Sequence, residues 1–200
     1  MKLCVFQGTF NPIHNAHLRV CEYAKQIYNF DKIILIPAYK PPHKNIDSAL
    51  SFHRLNMVQL AFESFEYTEV SNIEYKRESP SYTYHTIQEL YKIYKPEEKI
   101  DFLIGTDAFK NIETWFETDK LKQLVNFIVF IREDSKCLQN DINYFDKLKQ
   151  NGYNYKMMKL PYMDISSTQI RKNIITGNPI KGMVPTNIEK YIKDNDLYKN

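Results

Sequence analysis

Two histidines three residues apart, His14 and His17, follow a Gly-Thr turn in the run Gln7-Gly8-Thr9-Phe10-Asn11-Pro12-Ile13-His14-Asn15-Ala16-His17. At a helix entrance that spacing turns both imidazoles to one side, beside unpaired backbone N–H groups and the helix's partial positive charge. Such a set suits a phosphate in transit: imidazoles donate to the charge growing on its oxygens, while amides hold the anion. The pair equally fits two plainer roles, an incidental cap or two ligands of a metal. A second cluster, Asp164-Ile165-Ser166-Ser167-Thr168-Gln169-Ile170-Arg171, lies near the other end of the chain. Ser166 and Gln169 have the spacing of a capping box, so a helix starts there. A cap alone leaves unexplained the two further hydroxyls and Arg171, one turn beyond Ser167. Together they offer a polyphosphate hydroxyls, amides and a guanidinium fork.

Both clusters follow short apolar runs. Strand-like segments are 2–7, 32–37, 67–73, 100–105, 125–132 and 155–160. Several are continuous and β-branched or aromatic, as in strands covered on both faces. Helical stripes occupy 17–28, 51–65, 82–94, 140–150 and 167–176, and after a break at 179–185 a last short helix is expected over 186–197. Strand-then-helix repetition predicts an α/β fold: a doubly wound, Rossmann-like parallel sheet with helices on both faces. One domain spans 1–200, with a small helical C-terminal tail from about 161. In such sheets ligands sit at the carboxyl ends of the strands, which is where both clusters fall.

Composition narrows the partners. The chain has 27 basic and 24 acidic residues, net +3, too balanced for attachment to nucleic acid by overall charge. Lys is abundant, whereas Arg and Gly number five each and Trp one, so these scarce types mark local choices. No apolar run approaches membrane-spanning length, and only four apolar residues, 3–6, precede Gln7, so neither a membrane segment nor a secretory signal is expected. Cys4, Cys21 and Cys137 lack disulfide or zinc spacing, which points to a reducing, cytoplasmic location.

G-T-F-x-P-x-H-x-x-H after the first strand, with I-S-S-T-x-I-R near the C-terminus, resembles the nucleotidylyltransferase superfamily with the H-x-G-H-type motif. Further matches resemble its bacterial nicotinate-mononucleotide adenylyltransferase branch: Pro41-Pro42-His43-Lys44, Ser79-Pro80-Ser81-Tyr82-Thr83, Ile104-Gly105-Thr106-Asp107, Thr114-Trp115 and the ending Leu197-Tyr198. The resemblance implies AMP transfer from ATP to nicotinate mononucleotide, giving nicotinate adenine dinucleotide and pyrophosphate by direct in-line attack. It also implies Mg²⁺, bound mainly through the ATP phosphates. On the same grounds His14 and His17 would contact the ATP phosphates, with His17 stabilising the transition state. Gly8, Thr9 and Phe10 would lie along the nucleotides through their backbone, and Ser167, Thr168 and Arg171 would hold the leaving phosphates. Gly105 and Asp107 would flank adenosine, and Trp115 would stack on the pyridine ring. Thr83 would bind the carboxylate, while Lys40, His43 and Lys44 would reach the mononucleotide phosphate, with Arg132 a further phosphate candidate.

Three positions depart from the usual G-G-T-F-D-P-x-H-x-G-H: Gln7 and Ala16 stand where glycines are usual, and Asn11 where Asp is. None removes a group assigned to phosphate chemistry. Two alternatives stand beside the nicotinate enzyme. One is an adenylyltransferase that prefers, or also takes, nicotinamide mononucleotide; the other is a non-catalytic nucleotide-sensing module. Homo-oligomer formation is compatible with either.

Overall fold

The computed structural model describes residues 1–42, 49–77, 80–132 and 137–199, leaving aside the side chains of 49, 132 and 137–143. Its centre is a parallel sheet of β1 (Leu3–Gly8), β2 (Lys32–Pro37), β3 (Thr68–Val70), β4 (Ile100–Gly105), β5 (Val125–Arg132) and β6 (Tyr155–Leu160). Spatial order is β3-β2-β1-β4-β5-β6, so the chain winds one way from β1, then returns to the other side at β4. A crevice opens at such a reversal because the connections leaving β1 and β4 diverge to opposite faces. The connecting helices are α1 (Asn15–Tyr28), α2 (Ala49–Phe62), α3 (Thr83–Tyr94), α4 (Thr106–Lys110), α5 (Thr118–Leu124), α6 (Cys137–Gln150), α7 (Ser167–Ile175) and α8 (Thr186–Asp194).

Alternation along the strands sorts the core into two layers. Cys4, Phe6, Ile33, Leu35, Leu103 and Ile128 face one side, where α1, α2, α7 and α8 contribute Val20, Met57, Ile170 and Ile188. Leu3, Val5, Ile34, Phe102, Phe127 and Val129 face the other, against Ile87, Phe109, Leu121 and Phe145. The C-terminal helices therefore share the core of the sheet. Cys4 and Cys21 lie free in the first layer, where burial pushes both thiols up. Among the described residues no helix is long and apolar enough to cross a membrane.

Some elements differ from the sequence expectation. The strand expected over 67–73 pairs only as Thr68–Val70, at the sheet's edge; the chain then tightens into a 3-10 turn, Ile73–Lys76, that draws Glu74 inside. Helix α1 starts before its apolar stripe because Asn15 is held from outside: its N–H donates to Met183 O at 2.9 Å and its Nδ2 to Gly182 O at 2.7 Å. Helices α4 and α5, five and seven residues long, are too short for a periodic stripe to reveal.

Candidate active site

The loop between β1 and α1 folds tightly upon itself. Phe10 has φ 47°, in the left-handed region, and its buried ring turns back over the end of β1. A Cβ on Gly8 would stand 2.9 Å from that ring, so any side chain there would force the ring to move. The ring packs edge-on against Phe6 and His17, with centroids 5.3 and 5.0 Å away. The Asn11–Pro12 peptide is cis.

Helix α1 begins beyond this loop, with His14 as its N-cap in extended conformation. The His14 and His17 rings stack with centroids 3.6 Å apart. His17 Nδ1 accepts the His14 backbone N–H at 3.3 Å. An imidazole nitrogen that accepts carries no proton, so in the neutral ring the proton sits on Nε2, which becomes a donor.

The C-terminal segment closes the loop from above. Ser166 caps α7, its Oγ accepting from the Gln169 N–H at 3.2 Å, as the S-x-x-Q spacing predicts. Ser167 Oγ donates to Pro12 O at 2.9 Å, and Arg171 Nη1 donates to Asn11 O at 2.7 Å. Arg171 also reaches Thr168 Oγ1 at 3.3 Å. The two motifs, more than 150 residues apart in sequence, thus form one structure. The Tyr198 hydroxyl, donating to Asn11 Oδ1 at 2.7 Å, adds a third tie. Burial pushes this phenol above its ordinary value against the opposite pull of Arg54 and Arg171.

Among the described residues two cavities flank the crevice. One of about 640 Å³ is bordered by Gln7, Gly8 and Thr9, by Thr83 at the start of α3, and by Gly105, Asp107 and Trp115. The other, about 370 Å³, is bordered by His14, His17, Ser166 and Ser167 together with Phe130 and Tyr162. Trp115 is half-buried, edge-on to Phe102 at 6.2 Å. Gly105 is the N-cap of α4, and a Cβ there would press on the Phe130 ring at 3.2 Å. Asp107 is exposed within the first turn of α4, so its carboxylate is not the cap.

The structure therefore brings Gly8, Thr9, Thr83, Gly105, Asp107 and Trp115 to one cavity, and His14, His17 and Ser167 to the other. Gly105 and Asp107, assigned to adenosine by resemblance, share the wall of Trp115 rather than that of the histidines. Thr168, Arg171 and the buried Phe10 border neither of these cavities. Lys40 is exposed, its backbone paired with Ser81 through bonds of 2.9 and 3.0 Å. His43 and Lys44 lie outside the described residues. Arg132 ends β5 opposite Leu160, and its side chain also lies outside them.

Arg54 is the principal residue that sequence reasoning missed. It is fully buried on α2 and donates to Thr9 O at 2.7 Å and Tyr39 O at 3.2 Å, joining the loops after β1 and β2. Burial lowers its pKa, while Tyr75, Tyr198 and Glu74 oppose the shift. Its scarcity as an Arg was the available signal. Glu74 is the second, buried and accepting from Gln7 Nε2 and Thr86 Oγ1, each at 2.7 Å, and from the Tyr39 N–H at 3.2 Å.

Residues 5–173 match the profile of the cytidylyltransferase-like family. Curated relatives match along the whole chain. A protein of Caldicellulosiruptor bescii named probable nicotinate-nucleotide adenylyltransferase is 36% identical over all of both chains. One of the same name from a Thermoanaerobacter species is 38% identical, covering 100% of this chain and 95% of its own. Among solved structures, Plasmodium falciparum nicotinic acid mononucleotide adenylyltransferase complexed with NaAD superposes with a TM-score of 0.80 at 21% identity, covering 98% of this chain and 96% of that one.

Proposed function

The chain belongs to the cytidylyltransferase-like family, among its nicotinate-nucleotide adenylyltransferases, and on that premise we propose how its crevice transfers AMP from ATP to nicotinate mononucleotide. The observation that carries the mechanism is the junction of the histidine pair with the start of α7 across Asn11 and Pro12. The starts of α1 and α7 and the two imidazoles share one cavity wall there, which supports a role in stabilising a transferring phosphoryl group.

The mononucleotide occupies the larger cavity, its pyridine on Trp115 and its carboxylate at the N-terminal N–H groups of α3 beside Thr83. ATP lies along the histidine cavity. A 5′-phosphate oxygen of the mononucleotide attacks the α-phosphorus, and the bond to the β-phosphate bridging oxygen breaks as pyrophosphate leaves in line with the electron pair. No covalent enzyme intermediate forms, so the protein positions the reactants and stabilises charge. His17 Nε2–H donates to the α-phosphoryl oxygens as their charge grows, the Nδ1 bond to His14 N–H holding the ring in that tautomer. Ser167 meets the leaving phosphates at the wall of the histidine cavity, and Thr168 and Arg171, which the family resemblance assigns to the same phosphates, follow it on α7, Arg171 fastened to Asn11 O and Thr168 Oγ1. Asp107 takes a ribose hydroxyl where the nucleotides adjoin.

Mg²⁺ belongs to this proposal as ATP's companion. Among the described residues no three His, Cys, Asp or Glu side chains gather as a metal cage, so phosphates and water would carry the ion. It would neutralise charge between the phosphates. Buried free thiols at Cys4 and Cys21 support a reducing, cytoplasmic setting.

Pyrophosphate release from ATP and Mg²⁺, measured in parallel with nicotinate and nicotinamide mononucleotide, tests the assignment. The acid is expected to turn over faster; equal or faster turnover of the amide refutes the preference. His17→Ala should lose about 100-fold or more in kcat while staying folded. Near-full turnover in that variant refutes the mechanism.

A further inference from the structure

The ladder between β1 and β2 makes its last backbone bond where the Ala38 N–H donates to Gly8 O at 2.9 Å. One residue further along each chain, the Arg54 side chain continues the link. Nη1 donates to Thr9 O at 2.7 Å and Nη2 to Tyr39 O at 3.2 Å. Both oxygens are acceptors, so the two chains cannot pair directly there. A planar fork with donors on two nitrogens joins them. Arg54 is 0% exposed, and among the described residues its partners are these carbonyls and the Ser51 hydroxyl rather than a carboxylate. A buried charge on neutral partners is costly, and its helix neighbours Leu55, Met57 and Val58 are buried and apolar. The costly residue therefore stands where the sheet opens into the larger cavity, bordered by Gly8 and Thr9 on one side and Ala38 and Pro41 on the other.

We propose that Arg54 is a positioning residue for the mononucleotide, its guanidinium holding the loops after β1 and β2 at the spacing that shapes their shared cavity. The inference rests on the adenylyl-transfer reading, which puts the mononucleotide there. Arg54 itself borders neither cavity, so it acts through Thr9 and Tyr39.

The test compares Arg54→Lys, which keeps the charge but presents it from one nitrogen, with Arg54→Ala, assayed with and without added guanidinium ion. Pyrophosphate release gives KM for each substrate, while circular dichroism and thermal melting report the fold. Both variants are expected to raise KM for nicotinate mononucleotide about 10-fold, the effect of losing one charge-assisted bond. KM for ATP and kcat should stay near wild type, because Arg171 and Ser167 hold Asn11 and Pro12 independently. Guanidinium should return Arg54→Ala toward the wild-type KM and leave Arg54→Lys unchanged, its site already filled. An equal rise in KM for both substrates, or a lower Tm with unchanged KM, overturns the proposal and leaves Arg54 a residue of stability. Loss of fold in both variants overturns it in the same way. Guanidinium that restores nothing in Arg54→Ala also overturns it. If wild type adenylylates no pyridine mononucleotide, the function itself fails, a result distinct from these.

Discussion

Substituting Gly8 by Ala places a methyl group against the aromatic ring that shapes the loop between β1 and α1. The new Cβ would lie 2.9 Å from Phe10 Cε1 and Cζ and 3.2 Å from Cε2. Unstrained carbon contacts lie at about 3.5–4.0 Å, so the ring must retreat by more than half an ångström. It has little room, being 2% exposed and wedged between Phe6 and His17. Overpacking of this kind costs about 1–3 kcal/mol. For a chain of this size that is a fall in Tm of roughly 2–12 °C. Activity should fall further than stability, because a displaced Phe10 also moves Thr9, Asn11 and Pro12, whose carbonyls anchor Arg54, Arg171 and Ser167. The assay is thermal melting with pyrophosphate release for Gly8→Ala, Phe10→Leu and the double variant. Shortening the ring should restore part of what the methyl removes, a coupling of about 0.5–3 kcal/mol. An unchanged Tm and kcat in Gly8→Ala, or strictly additive effects in the double variant, would refute the steric account.

Two further perturbations test other links. Tyr198→Phe removes the donor to Asn11 Oδ1 and should cost about 1 kcal/mol, seen as a Tm fall of about 2–4 °C with a several-fold loss in kcat/KM for ATP; unchanged kinetics would show that the chain end does not position the loop. Burial raises the Asp101 carboxyl above its ordinary value, with Lys156, Lys2 and Asn126 only partly opposing. Such a group favours the fold while protonated, fully below its unfolded value near ~4, and loses that contribution as pH rises through the folded value. Asp101→Asn should therefore raise Tm at pH 7 and confer no gain below about pH 4; an equal gain at both would refute the assignment.

The alternation of apolar strands with helical stripes predicted the parallel α/β sheet, because both periodicities are local and survive in the sequence. The histidine cluster and the serine-arginine cluster were legible for the same reason: a turn glycine, a cap and a one-turn spacing each lie within about ten residues. Ser166 caps α7 as its spacing requires. Where local signals are weak the sequence misleads, as at β3, an edge strand of three residues where seven were expected.

What the sequence by itself determined is which chemical groups the chain owns and on which short elements they ride. Only the tertiary structure decided what those groups face. It put Ser167 and Arg171 onto the carbonyls of the histidine loop, and Asp107 on the wall of the Trp115 cavity. It also produced Arg54 on Thr9, Gln7 on Glu74 and Tyr198 on Asn11, across separations of 45, 67 and 187 residues. Such contacts leave no periodic trace, since a buried polar group is satisfied by whichever partner the packed layers bring within about 3 Å, whatever the distance along the chain.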